Sequence, residues 1–171
     1  EEIEKLAPES ADALFARGFL QYQQQAYEDA VATLEPVAAA RPEDLRTKLL
    51  LGGAHLALGN YEQSLEMTET YLALQPGAVR PTLLASQALI AEGEFERAAT
   101  VLATARPYNP GEPTLIALQS QVAILNNSAD EAVEFIRQIA ELEPEIPGLH
   151  LSEGLALLRA ERPEEALEPL K

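Results

Sequence analysis

The chain has 171 residues, 47% of them apolar and 5% aromatic, with 12 basic against 28 acidic side chains and a formal charge of −16. Such a surface repels a phosphate backbone, which excludes nucleic acid as a natural partner, and the absence of cysteine excludes a disulfide framework and thiolate metal sites. No run of about 18 apolar residues is present to span a membrane, and no secretory leader is visible.

Leucine and alanine dominate, which favours helix over sheet. Residues 1–7 read as the end of a helix whose start is missing. Pro8 then opens a series with Pro42, Pro76, Pro110 and Pro144, each 34 residues after the last. The series divides the chain into the end of a preceding repeat (1–8), repeats at 9–42, 43–76, 77–110 and 111–144, and a partial fifth at 145–171. Each unit reads as two helices. In the second, residues 45–58 form the first helix and Gly59 with Asn60 breaks it. Residues 61–74 form the second helix, which Pro76 stops. Asn60 with Gln63, and Ser128 with Glu131, carry the signature of side-chain N-caps on second helices. Pro163 suits the first turn of the last helix, where its missing N–H costs nothing. Residues 147–171 supply a first helix and only part of a second. Without a polar capping helix, the chain reads as one continuous domain cut from a longer array.

Other columns keep the same period. Ten residues after each proline stands a small residue: Gly18, Gly52, Ser86, Ser120 and Gly154. Twelve further on come Ala30, Ser64, Ala98, Ala132 and Ala166, and four beyond those Leu34, Thr68, Leu102, Ile136 and Leu170. The column of Ile3, Val37, Tyr71, Ala105 and Ile139 is largely apolar. Small residues belong where the two helices of a hairpin cross closely, because a larger side chain would push them apart.

With these columns in register, Gly52, Tyr61, Leu65, Leu72, Leu74 and Pro76 resemble the tetratricopeptide repeat, and the resemblance covers the whole chain. It implies an all-α fold, a right-handed superhelical solenoid of tandem helix-turn-helix repeats. The family's bulky aromatic early in the first helix is replaced here by Leu14, Lys48, Thr82, Ile116 and His150. The phrases at 11–18, 49–64 and 83–87 further resemble the repeat proteins of bacterial exopolysaccharide systems, including those encoded with exosortase and PEP-CTERM sorting genes. That resemblance implies a scaffold for polysaccharide assembly or export in the bacterial periplasm or at the outer membrane; a cytoplasmic location is the alternative.

Nothing points to catalysis, a metal or a cofactor. His55 and His150 lie in different repeats with no carboxylate at ligand spacing, and partly buried structural histidines are expected. Acidic residues such as Glu28, Asp29, Glu62, Glu96, Asp130, Glu131, Glu164 and Glu165 open second helices, where the helix dipole favours them. Ser86 and Ser120 are present for their size and have no base beside them.

The resemblance also implies that the second, fifth, ninth, twelfth and thirteenth positions of each repeat face a concave groove. Carried over, it assigns to that groove Phe15, Phe19 and Tyr22, then Arg46, Leu49 and Leu56, then Arg80, Leu83, Gln87 and Ile90, then Gln121 and Ile124, and finally Leu155. The Lys and Asn pattern that clamps a peptide carboxylate in some members is absent. An apolar lining facing solvent marks a binding surface, and the expected occupant is an amphipathic helix or apolar segment of a partner protein. Arg46 and Arg80, one repeat apart, are placed to hold an acidic side chain. Three other functions are compatible with the sequence: self-association through repeat ends, the recognition arm of a larger enzyme, and weak binding of a cationic polysaccharide by the acidic surface.

Overall fold

The computed structural model describes residues 10–169. The expectations for residues 1–8, including Ile3 and Pro8, and for Leu170 lie outside the described residues. Ten α-helices follow one another there, with no strand among the described residues. They are α1 (Ala11–Gln23), α2 (Tyr27–Ala40), α3 (Leu45–Ala57), α4 (Tyr61–Leu74), α5 (Val79–Ala91), α6 (Phe95–Ala105), α7 (Pro113–Leu125), α8 (Ala129–Leu142), α9 (Leu149–Arg159) and the short α10 (Pro163–Ala166). A 3₁₀ turn, Arg106–Tyr108, extends α6.

The chain forms two compact units, Glu1–Glu92 and Gly93–Lys171. In the first, α1 pairs with α2 and α3 with α4 as hairpins, α2 packs on α3, and α4 packs on α5. First helices also touch in sequence, α1 on α3 and α3 on α5. In the second unit α7 pairs with α8, α6 lies on α7, α8 on α9, and α9 on α10.

The small columns make the hairpins possible. Ala30, Ser64, Ala98, Ala132 and Ala166 are all buried, as are Gly18, Gly52, Ser86, Ser120 and Gly154. A Cβ at Gly18 would collide with the Leu34 side chain, and one at Gly52 would stand 3.0 Å from Thr68 Cγ2. At the second hairpin the Ser64 hydroxyl donates to the Gly52 carbonyl (2.8 Å), so the crossing is both close and hydrogen-bonded. The column of Leu34, Thr68, Leu102 and Ile136 is buried. In the second unit Val133, Ile136 and Leu157 belong to a core cluster of its own.

Side-chain capping falls on three of the first helices, α1, α3 and α7, contrary to expectation. Ser10 accepts from the Ala13 N–H (3.2 Å), Asp44 Oδ1 from the Arg46 N–H (3.1 Å) and Glu112 Oε1 from the Thr114 N–H (3.4 Å). Asn60 and Ser128 precede second helices without any side-chain cap bond. The turn explains why. Gln25, Gly59, Gly93, Asn127 and Glu161, again 34 apart, all have left-handed backbones. Gln25, Gly59, Asn127 and Glu161 each end a first helix in the Schellman manner. The Gly59 N–H bonds to the Leu56 carbonyl (3.1 Å) and the Asn60 N–H to that of His55 (2.9 Å); Asn127 and Ser128 repeat this on Ile124 (3.2 Å) and Ala123 (2.8 Å). The next helix therefore starts where the previous C-cap delivers the chain, with Asn60 at φ −85° and ψ 70°, away from the extended backbone usual at a capping residue.

The histidines differ from each other. His55 is buried on α3, whereas His150 is exposed on α9 and has no structural packing role of the kind expected for it.

Candidate functional site

Phe15 and Phe19 stand one turn apart on α1, Arg46 and Leu49 one turn apart on α3, and Arg80 opens α5. Because first helices lie side by side in the first unit, these residues converge. Together with Leu50 and Tyr71 they line an open cavity of about 350 Å³, within the roughly 300–1,000 Å³ span of ordinary ligand pockets. Phe19 keeps 42% of its surface exposed, although aromatic side chains are scarce in the chain. Phe15 leans on the core formed by Leu34, Leu50 and Leu51.

The cavity is apolar with a basic rim. The Arg46 guanidinium lies 4.9 Å from the Phe15 ring centroid, a cation–π contact. The same group donates from Nε to Asp44 Oδ1 (3.2 Å), so Arg46 is oriented before any partner arrives. Burial opposes ionisation of Asp44, but hydrogen bonds from Arg46 and Thr47 outweigh it and hold the carboxyl below the ordinary range. Arg80 has no acidic partner among the described residues.

Other expected groove residues do not join this cavity. The Tyr22 ring meets Tyr27 edge-on at 5.5 Å, and its hydroxyl stands 2.6 Å from where a Gly53 Cβ would be. It closes the gap between α1 and α3. Leu56 on α3 and Leu83 and Ile90 on α5 are half-buried, and Gln87 is exposed, all outside the cavity. Leu50 and Tyr71 belong to the site but were not foreseen. Leu50 faces mostly into the core, and Tyr71 comes from a second helix. The available signal was Tyr71 itself, the single aromatic in its 34-residue column.

In the second unit, Gln121 and Ile124 line a separate hollow of about 330 Å³ with Leu125, Ile139 and Leu149. Leu155 is not part of it. With Leu151 and Leu158 it forms an exposed stripe along α9, 56%, 51% and 47% exposed for 151, 155 and 158. Among the described residues no group of His, Asp and Glu is arranged to hold a metal, and no helix is long and apolar enough to cross a membrane.

Comparison with known proteins agrees with this arrangement. The tetratricopeptide repeat family matches residues 21–78 and 55–122. No curated protein sequence matches. Among solved structures, MamA from AMB-1 superposes with a TM-score of 0.81 at 22% identity, over 94% of this chain and 87% of that one. MamA 41-end from Desulfovibrio magneticus RS-1 gives 0.83 at 18% identity, over 94% and 90%. TTC0263, a thermophilic TPR protein in Thermus thermophilus, gives 0.67 at 23% identity, over 94% and 88%. At these identities the likeness shows a shared fold.

Proposed function

The chain belongs to the tetratricopeptide repeat family, whose members bind protein partners, and from that premise we propose that it is a scaffold whose first unit grips a partner segment carrying an apolar anchor beside an acidic side chain. The observation that supports this is the cavity of Phe15, Phe19, Leu49 and Leu50 rimmed by Arg46 and Arg80. On a chain with a formal charge of −16, two arginines at the mouth of an apolar hollow form a local basic island, complementary to an acidic ligand. The anchor fills the hollow, and the acidic group reaches Arg80, which needs no existing pair broken. A helical segment presenting anchors at i, i+3, i+4 and i+7 meets these requirements, and Leu83, Gln87 and Ile90 extend the contact along α5.

The setting we infer is polysaccharide assembly or export at the bacterial cell envelope, in the periplasm or against the outer membrane. The support for it is the resemblance carried by residues 11–18, 49–64 and 83–87. The test is capture from an envelope extract of the source cell with wild type, Phe19→Glu and Arg80→Glu in parallel. Both side chains are exposed, so both variants should fold, which circular dichroism checks. A protein retained by wild type and lost by both variants is the expected result, and equal retention by all three overturns the site. Recovery of the chain only from the cytosol after fractionation overturns the setting.

A second reading rests on the leucine stripe of α9. Leu151, Leu155 and Leu158 recur at i, i+4 and i+7 and remain about half exposed, which suits association between copies. Light scattering over a concentration series decides it: a mass independent of concentration excludes the reading.

A further inference from the structure

The opposite side of α7 carries a second, larger cavity. It measures about 510 Å³ and is enclosed by α6, α7 and α8 within the second unit. Its origin is visible in the repeat. Position 99 belongs to the column Val31, Leu65, Ala99 and Val133, and position 123 to the column His55, Leu89, Ala123 and Leu157. In both columns the smallest side chain falls in this one place, and both alanines line the cavity. Elsewhere the same positions are filled, with Leu89 and Leu157 fully buried and Leu65 nearly so. Two coincident truncations thus open a hollow that the repeat pattern would close.

Two of its polar side chains hold acceptor oxygens without a partner. Gln119 is 93% buried and lines the wall, yet its Oε1 has no hydrogen-bond partner; the buried Asn126 Oδ1 on the same wall has none either. Unpaired buried acceptors are costly and rare in folded proteins. Glu131 and Glu134 bring two carboxylates to the rim, neither ion-paired among the described residues. The one cation of the lining, Arg106, lies 5.3 Å from the Phe135 ring centroid and donates to Gln138 Oε1 (3.2 Å), and two carboxylates against its single charge leave the lining net negative. The hollow therefore offers an apolar wall of Ala99, Ala103 and Ala123, two buried acceptors on lining side chains, and a net negative lining.

We propose that this cavity binds an aliphatic ammonium group. The alkyl stem lies against the alanines, the ammonium N–H groups donate to Gln119 and Asn126, and its charge faces Glu131 and Glu134. A lysine side chain of a basic partner segment and a free alkylamine share that chemistry. The site is distinct in unit and in charge from the cavity assigned to the acidic partner, and does not depend on it.

Titration followed by methyl NMR and calorimetry tests it, with N-acetyl-lysine methylamide, pentylammonium and, as the uncharged control, pentanol. Saturable binding of the lysine probe that perturbs the Ala99 and Ala123 methyl signals is expected. Binding of pentylammonium as well would mean that the free amine suffices; its failure to bind would assign the site to a peptide-borne lysine. Ala123→Leu, which restores the residue of the neighbouring repeats, should weaken binding at least about tenfold without lowering the melting temperature. Gln119→Leu keeps the volume and should weaken it about fivefold or more, which covers the case in which Ala123→Leu fails to fold. Absence of saturable binding of both amines, equal affinity for pentanol, or unchanged affinity in the folded variants overturns the proposal.

Discussion

His55 occupies a position where other repeats carry Leu89, Ala123 and Leu157. It is 8% exposed, and its Nδ1 lies buried without a partner. Burial pushes the imidazole below its ordinary value of 6.5, against a smaller opposing pull from Glu35 and Glu66. The unfolded chain thus takes up a proton near pH 6.5 that the folded chain refuses until lower pH. The stability contributed by the neutral histidine is complete above 6.5 and is lost as the pH falls below it. His55→Leu removes the titrating group and the unpaired nitrogen together. At neutral pH it should gain about 1 kcal/mol. Between about pH 7.5 and about pH 5.5, a window above ordinary carboxylate titration, its melting temperature should fall less than that of the wild type. Parallel curves for the two proteins would show that His55 is not the group responsible.

At the level of helices and turns, the left-handed residue that closes each first helix is a point of uneven quality. Gly59 and Gly93 adopt this backbone without a steric cost, but Gln25 at φ 62° and Glu161 at φ 58° carry a Cβ there. For an L-residue that conformation costs roughly 1–2 kcal/mol, partly offset by the extra freedom glycine has in the unfolded chain. Gln25→Gly should therefore stabilise by about 0.5–1 kcal/mol in urea unfolding; a destabilised variant would mean that the side chain contributes more than the strain removes. The hairpin crossings respond in the opposite direction. Ala132 on α8 has no exposed surface and packs within the hairpin that α8 forms with α7, and Ala132→Leu should overpack the crossing and cost about 1–3 kcal/mol. A melting curve identical to that of the wild type would contradict its place in the crossing. These crossings were legible in the sequence because size is limited at every repeat, so the restriction recurs in register. The caps were not. Asn60 and Ser128 have suitable side chains, but a Schellman turn sets their backbones. The residues that do cap, Ser10, Asp44 and Glu112, share a 34-residue column whose third member is Ala78. The candidate site was half legible, and by a different route. Phe15, Phe19, Arg46, Leu49 and Arg80 occupy the first-helix positions that the family resemblance assigns to a groove, whereas Tyr71 arrives from a second helix and Leu50 from a face turned to the core.

Over the whole molecule the excess of acid is the dominant electrostatic fact. Twenty-eight carboxylates face 12 basic side chains. The ion pairs present are mostly solvent-exposed, such as Arg41 with Asp12 (2.6 Å) and Arg162 with Asp130 (2.9 Å), and pairs of this kind contribute about 0–1 kcal/mol each. Two opposite outcomes on adding salt are therefore conceivable. Screening of the pairs would destabilise the fold, whereas screening of the general repulsion among like charges would stabilise it. Range separates the two effects. Raising ionic strength from about 0.01 M to about 0.1 M shortens the screening length from about 30 Å to about 10 Å. That change leaves contacts near 3 Å largely intact but suppresses repulsion between carboxylates on different repeats. It is also too dilute for salting-out to strengthen apolar burial. The melting temperature should accordingly rise over this interval, each kcal/mol of relieved repulsion appearing as about 2–4 °C in a chain of this size. A fall would mean that the ion pairs outweigh the net charge and that the acidic surface is better neutralised than its composition suggests. The same salt step should weaken capture of an acidic partner at Arg46 and Arg80. Opposite movements of stability and affinity would separate the charge of the whole chain from the local basic rim of its binding site.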